Sequence, residues 1–444
     1  MSATGFGPFI TAARAAGHLV VQPRMGMSSP DEMRAGLMAV KRATPTTVGT
    51  ITVDSFTRGN NHAAAQNALL DGERLNGYPI VAHGPQTTAA LLDGILSPDF
   101  PIQVRHGSPD PRQVFAAMVK AGLSASEGGP VSYCLPYGRY PLRESVHAWG
   151  AACDFLAEAR ADTEGAEPHM ETFGGCMLGQ LCPPSLLVAL SVLEALFFRQ
   201  HGLRSVSLSY AQQTDPGQDL EALAALSRLA GDLLAGLDWH IVLYAYMGVY
   251  PKTAQGAHLL LGEAARLAVR GGAARLIVKT RAEAHRIPTI AENIEALEYA
   301  GAVAGHTATA RPDAPASYCA VTDTGLHAEA SLIVDAVLGL HPDVGLALLR
   351  AFQHGLLDVP FCLHPDNHGR TQAFINDAGR LHWSDTGALP IRRGAKGDGH
   401  MSSATLLAAL GHVSAKFDAA AAAHLPRGRT PPTPLVAHTE ECAP

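Results

Sequence analysis

Nine short runs rich in β-branched and apolar residues punctuate the chain, and most are followed by a stretch long enough for an amphipathic helix. The runs are HLVVQ from His18, VGTITV from Val48, YPIVAH from Tyr78, IQVRH from Ile102, VSYCL from Val131, METF from Met170, SVSLSY from Ser205, HIVLYAY from His240 and RLIVK from Arg275. Helical periodicity marks the segments from Asp31, Asp110, Leu142, Gly217 and Gly262. The strand runs are nearly continuous in apolar character, which suits parallel strands covered on both faces. A long strand and helix alternation of this kind closes into a (β/α)8 barrel or opens into a doubly wound sheet.

The position of the polar residues favours the barrel. No G-x-G-x-x-G follows the first strand and no phosphate-binding loop occurs anywhere, as nucleotide-binding open sheets would need. Arg24 follows HLVVQP, Arg58 follows TITVDSFT, Arg105 ends IQV and Lys279 ends RLIV. All four stand at carboxyl ends of strands, where a TIM-type barrel builds its active site. The expected organisation is an α/β chain with a (β/α)8 barrel over residues 1–320, a smaller C-terminal appendage over 321–418, and an unstructured Ala- and Pro-rich tail over 419–444.

Charge and cysteine usage narrow the function. A net charge of -7 argues against a general nucleic-acid or anionic-membrane binder, which needs a basic excess. Seven cysteines without a C-x-x-C pair read as free thiols in a reduced, cytoplasmic protein. Arg14 and His18 interrupt the N-terminal apolar stretch, so it does not read as a signal peptide. The most apolar run, from Pro183, falls short of the ~20 residues of a bilayer span and carries Glu194, so a buried helix is expected there.

Three arginines at corresponding strand ends can grip carboxylates, because each guanidinium presents paired donors that match a carboxylate fork; singly, each reads better as a surface loop residue, and it is the three together that mark a site. Glu127, in SEGGPVSYCLPY, has no basic residue after it until Arg139. It is either a solvated turn residue or the acceptor for a cation from outside the chain. A ligand with two carboxylates and one ammonium, an acidic α-amino acid, would satisfy both features. HPDNH from His364 has metal-ligand spacing, but turn chemistry alone explains it, and no metal site is assigned. His240 reads as a packed core histidine.

The blocks QPRMG, DSFTRGNN, RLNGYP, QVRHGSPD, SEGGPVSYCLPY, LIVKTRAEAHRIPT and AFQHGLLDVPF, in this order, resemble the epsilon subunit of glutamate mutase, also called methylaspartate mutase. The resemblance implies an adenosylcobalamin-dependent isomerase that converts L-glutamate to (2S,3S)-3-methylaspartate by a radical route. It implies glutamate held by Arg24, Arg58, Arg105, His106, Glu127, Tyr133 and Tyr137, with Glu127 as the catalytic carboxylate. It further implies cofactor contacts from Gly26, Asn76, Pro136, Tyr250, Lys279, Glu283 and Ile287. The D-x-H-x-x-G signature of the family's small cobalamin-binding sigma subunit is absent, so a sigma partner, in an epsilon2-sigma2 assembly, is expected.

The chain departs from the family pattern in three places: a shorter region before Arg24, an unusual TFGGCMLGQLCPPS, and Tyr244 where a histidine is expected. Alternatives therefore stand beside the free-glutamate reading. They are the same chemistry on a carrier-bound glutamate, a non-catalytic barrel that binds acidic amino acids, and a metal-dependent barrel hydrolase.

Overall fold

The computed structural model describes residues 5–136, 138–161, 166–177, 181–309, 322–392 and 402–423. Eight strands form one sheet: β1 Val20–Gln22, β2 Gly49–Thr52, β3 Ile102–Arg105, β4 Ala125–Gly128, β5 His169–Thr172, β6 Ser205–Ala211, β7 Asp238–Tyr244 and β8 Arg275–Ile277. Neighbours pair in parallel in chain order from β2 to β8, and β8 pairs with β1. The seam between β1 and β2 is narrow, held by a parallel bridge between Val21 and Thr47 and by a hydrogen bond from the Thr52 amide to the Met25 carbonyl at 2.9 Å. This is the expected (β/α)8 barrel, with helices covering the outside of the strands.

Two of the expected strands are something else. YPIVAH opens the helix Ile80–Leu92, which bends where Gly84 takes φ 78 before Pro85. A short apolar run does not by itself separate a strand from a buried helix segment, and here the run packs outside a sheet already complete on both sides. VSYCL is a helical turn, with the Tyr133 amide bonded to Gly129 O at 3.1 Å and the Leu135 amide to Val131 O at 3.0 Å. The true strand lies just before it, in ASEG, whose four residues are all buried although none is β-branched.

Side chains inside the barrel form a polar layer instead of an apolar plug. The fully buried Arg275 bonds Gln22 and Glu171, reaches Ser207 Oγ at 3.0 Å and Gln103 Oε1 at 3.4 Å, and so ties five strands together. Gln22 Nε2 adds bonds to Thr50 Oγ1 at 2.8 Å and Gln103 Oε1 at 2.9 Å. Beneath this layer the helix Phe6–Ala15 stops the amino end of the barrel. The Phe6 ring lies 4.9 Å from the Arg275 guanidinium and stacks on His169 at 5.0 Å. His240 is buried and stacks in turn on His169, as a core histidine would.

The apolar run from Pro183 is the helix Pro184–Gln200, buried along almost its whole length, with prolines where a helix start tolerates them. Its one buried carboxylate, Glu194, organises two loops on the active face. Oε1 accepts from the amides of Val131 at 3.3 Å and Ser132 at 2.9 Å; Oε2 accepts from Ser132 Oγ at 3.0 Å, Phe173 N at 3.2 Å and Gly174 N at 2.8 Å. Gly129 leaves room for it, since a Cβ there would meet Oε1 at 2.0 Å.

Beyond the barrel come the helices Leu326–Leu338 and Val344–His354, a two-stranded antiparallel hairpin of β9 Gln372–Ile375 and β10 Leu381–Asp385, and the helix Ser403–Ala423. Arg380 of the hairpin region grips Glu221 of the helix Pro216–Leu233 at 2.7 Å. The last helix carries regular structure past position 419, where an unstructured tail is expected, because its alanines are strong helix formers and Asp418 is hydrogen-bonded to the barrel. None of the described helices is long and apolar enough to cross a membrane.

Replacing Glu194 with Gln keeps the volume but turns one acceptor into a donor facing other donors. The variant is expected to lose on the order of 3 kcal/mol in stability, measured by chemical denaturation. An unchanged midpoint would remove Glu194 from its organising role.

Candidate active site at the carboxyl ends of the strands

Arg105 is the last residue of β3 and Glu127 lies in β4, so pairing of these adjacent strands brings them together at 3.4 Å. The sequence leaves Glu127 without a cation of its own; the fold supplies one. Glu127 is completely buried, and its Oε1 also accepts from the His106 amide at 3.2 Å. Burial raises its carboxyl above the usual range, against the opposing pull of Arg105 and of the neighbouring Tyr133. Gly128 takes φ 129, and a side chain there would strike Trp149 and Tyr133 at 2.5 Å, which accounts for the first glycine of E-G-G.

Arg105 serves a second carboxylate. Its Nη1 lies 3.4 Å from Glu171 Oε1 and donates to Tyr244 Oη at 2.7 Å, while Tyr244 itself bonds Glu171. Burial alone would raise Glu171, but Arg275 and Arg105 on either side bring it down to about 2, so it is ionised. Glu171 was visible in METF only as part of a strand. Its role depends on partners far away in sequence, Arg105, Tyr244 and Arg275, which no local spacing reveals.

His106 sits among aromatic rings, stacked on Trp149 with centroids 5.5 Å apart and edge-on to Tyr133 at 5.3 Å. Its Nδ1 accepts from the Ser108 amide at 3.0 Å, which assigns the ring proton to Nε2. That Nε2 is buried and has no hydrogen-bond partner among the described residues. Burial, then Arg58 nearby, push the ring down to about 3, so it is neutral.

Arg58 ends the short helical turn Ser55–Arg58, capped by Asp54 through the amides of Phe56 at 2.8 Å and Thr57 at 3.1 Å. Its side chain lies across Gly107, where φ is 64 and a Cβ would come within 3.0 Å of Nε. Nε is buried without a hydrogen-bond partner, and the guanidinium makes no ion pair among the described residues. Arg58 is thus a cation held in place and left uncommitted.

Arg24, past the end of β1, belongs to a neighbouring cluster. Its Nη1 lies 3.8 Å from Glu283 Oε2 and 3.9 Å from Met247 Sδ. Lys279, past the end of β8, pairs with the same carboxylate at 3.6 Å and stands 4.7 Å over the ring of the buried Tyr250. Burial lowers Lys279 to about 8, partly offset by Glu283. The Tyr250 hydroxyl is buried and has no hydrogen-bond partner among the described residues.

The other expected contact residues are dispersed around this face. Gly26 packs so closely that a Cβ would meet Thr52 O at 2.1 Å. Asn76 is exposed and accepts from the Ser55 amide at 3.0 Å. Pro136 is half-buried at the end of the turn that bears Tyr133, and Ile287 is 60% exposed. Tyr137 lies outside the described residues. His364 spends its ring nitrogens on the Tyr140 carbonyl at 2.9 Å and the Asp366 amide at 3.1 Å, and no cluster of metal-ligating side chains occurs among the described residues.

Chemically, this face offers an unpaired guanidinium and an unsatisfied imidazole N–H for an anion, a buried carboxylate for an ammonium, and a lysine with a carboxylate beside it for hydroxyl groups.

Comparison with known proteins follows the same lines. The chain is 29% identical over 394 residues to the glutamate mutase epsilon subunit of Desulfitobacterium hafniense, covering 86% of this chain and 80% of that one. It is 30% identical over 388 residues to that of Halobacterium salinarum, covering 84% and 78%, and 28% identical over 388 residues to that of Escherichia coli O157:H7, covering 84% and 79%. The family model described as methylaspartate mutase E chain matches residues 2–403, and the chain therefore belongs to that family.

Proposed function

We propose that this chain is the large catalytic subunit of a glutamate mutase, an isomerase that interconverts L-glutamate and (2S,3S)-3-methylaspartate with adenosylcobalamin and a small cobalamin-binding subunit. The observation that carries the reading is the pairing of unspent donors, Arg58 and His106 Nε2, with a buried carboxylate, Glu127, at one mouth of the barrel. Those groups complement an acidic amino acid. Arg58 and the His106 N–H take one carboxylate, Arg105 and Arg24 are placed for the other, and Glu127 receives the ammonium, exchanging part of its pairing with Arg105 for the ligand.

Cofactor fit rests on the second cluster. Lys279 donates, Glu283 accepts, and the unsatisfied Tyr250 hydroxyl does either, a set suited to a sugar with adjacent hydroxyl groups. With Gly26, Asn76, Pro136 and Ile287, these residues would hold adenosylcobalamin. When bound, that cofactor supplies an organic radical through cleavage of its cobalt to carbon bond.

The chain's own contribution is positional and electrostatic. Guanidinium groups gripping both ends of the substrate keep two fragments in register while the carbon–carbon bond between them is exchanged. Glu127, its carboxyl raised by burial, holds the ammonium and can take a proton from it. Enclosing walls keep reactive carbon centres from water.

Mixing the purified chain with a sigma-type subunit and adenosylcobalamin should yield methylaspartate from free glutamate. No turnover with a competent partner sinks the proposal, and turnover only with carrier-bound glutamate redirects it to the tethered substrate.

Arg58→Lys should raise the KM for glutamate about tenfold or more, through loss of the planar fork, and leave cofactor binding unchanged. Equal glutamate KM values in the two proteins would take Arg58 out of the site. Cofactor affinity should depend on pH through Lys279. Below about 8 the lysine is a cation paired with Glu283, and above it the charge is lost, so binding weakens as pH rises through this value. Lys279→Met should bind weakly at all pH values, and persistence of the pH step in that variant would assign it to another group.

A further inference from the structure

The helix Ser403–Ala423 begins where the match to the family ends, at residue 403, yet it is built into the active face. Asp418 accepts from the amides of Lys252 and Thr253, each at 3.0 Å, and from Thr253 Oγ1 at 2.5 Å. Thr253 in turn caps the helix Ala254–Arg270 through the Gly256 amide at 3.1 Å. One turn earlier, Ser414 Oγ donates to the carbonyl of Tyr250 at 3.1 Å. Val413 packs with Tyr250, Tyr246 and Leu260 in a small apolar cluster of its own, against which Phe417 and Ala284 rest. Lys416 reaches the Thr214 carbonyl at 3.4 Å, a hold on the loop after β6.

These contacts converge on one segment. Residues 245–253 connect β7 to the next helix and carry Tyr250, whose ring supports Lys279, whose ammonium pairs with Glu283. Ala284, touched by the same apolar cluster, is the immediate neighbour of Glu283. A loop between a strand and a helix ordinarily has freedom that a site with fixed geometry does not tolerate. Here backbone donors at 252 and 253 and the carbonyl at 250 are all bonded to one helix from far along the chain.

We propose that the helix Ser403–Ala423 is a positioning strap for the cofactor loop: Asp418, Ser414 and Val413 fix residues 250–253 so that Tyr250, Lys279 and Glu283 are set in place before the cofactor arrives. The inference rests on the reading of those three residues as cofactor contacts. The contacts of the strap residues are with the loop and its neighbours. They act through the loop, and their energetic effect is the fraction of chains whose loop is already in the binding arrangement.

The test uses the full chain with Asp418→Ala, Ser414→Ala, and the conservative Asp418→Glu. Without cofactor or partner, Asp418→Ala should speed hydrogen exchange at the amides of Lys252 and Thr253 about tenfold or more, while amides of the barrel strands exchange as before. With a sigma-type subunit, the KM for adenosylcobalamin should rise about tenfold, as expected if the ready fraction falls to roughly a tenth. The KM for glutamate and kcat at saturating cofactor should stay within about twofold. Ser414→Ala should move in the same direction by less, and Asp418→Glu should restore most of the loss.

Unchanged exchange and cofactor KM in Asp418→Ala would overturn the strap, as would faster exchange spread over the strands or equal rises in both KM values. Absence of turnover in the unmodified protein would sink the functional reading alone. The exchange comparison needs neither cofactor nor partner, so it tests the hold on the loop even where the functional reading fails.

Discussion

A chain of alternating charge runs from the core of the barrel to its mouth: Arg275, Glu171, Arg105, Glu127. Every member is nearly or fully buried, so each charge depends on the next for compensation. Isolated charges in such surroundings cost far more than they return, and removal of one partner leaves the other stranded. The series is neutral as a whole, with two cations and two carboxylates. It ends in Glu127, the carboxylate with the weakest claim on its cation, since Arg105 also answers to Glu171 and Tyr244. Glu127 is therefore the member of the series best able to exchange its partner for a cation from outside the chain.

Around this axis the mouth of the barrel is divided. One sector contains Arg58, His106, Arg105 and Glu127, with unspent donors and a buried acceptor. The other contains Arg24, Lys279, Glu283 and Tyr250, where two cations share one carboxylate. The arginines at the ends of β1, β2 and β3 are thus not equivalent. Arg58 is uncommitted, Arg105 is shared between Glu127 and Glu171, and Arg24 leans toward the lysine sector. The first and second stand beside the substrate groups of the proposed reaction, and the third joins them to the cofactor groups.

Much of this was legible in sequence because a parallel barrel is regular. A basic residue just after an apolar run marks a strand end, and Arg24, Arg58, Arg105 and Lys279 were found that way. β4 was hidden because ASEG lacks the β-branched residues that mark strands, while the adjacent VSYCL has an apolar run that mimics one. The roles of Glu171 and Glu194 were hidden for another reason. Each lies within an apolar segment, where a carboxylate looks like an intrusion, and its partners come from other strands and loops. Local pattern reports which face a residue occupies; it does not report what faces it across a closed barrel. The Asp418 contacts are further still from sequence reading, since 165 positions separate it from Thr253.

The helix that closes the amino end gives the barrel the form of a well instead of a tube. With Phe6 seated under Arg275, the charged interior opens in one direction only. Whatever enters that interior from solvent then crosses the rim on which both clusters sit. A single cover over that rim would therefore isolate both clusters at once.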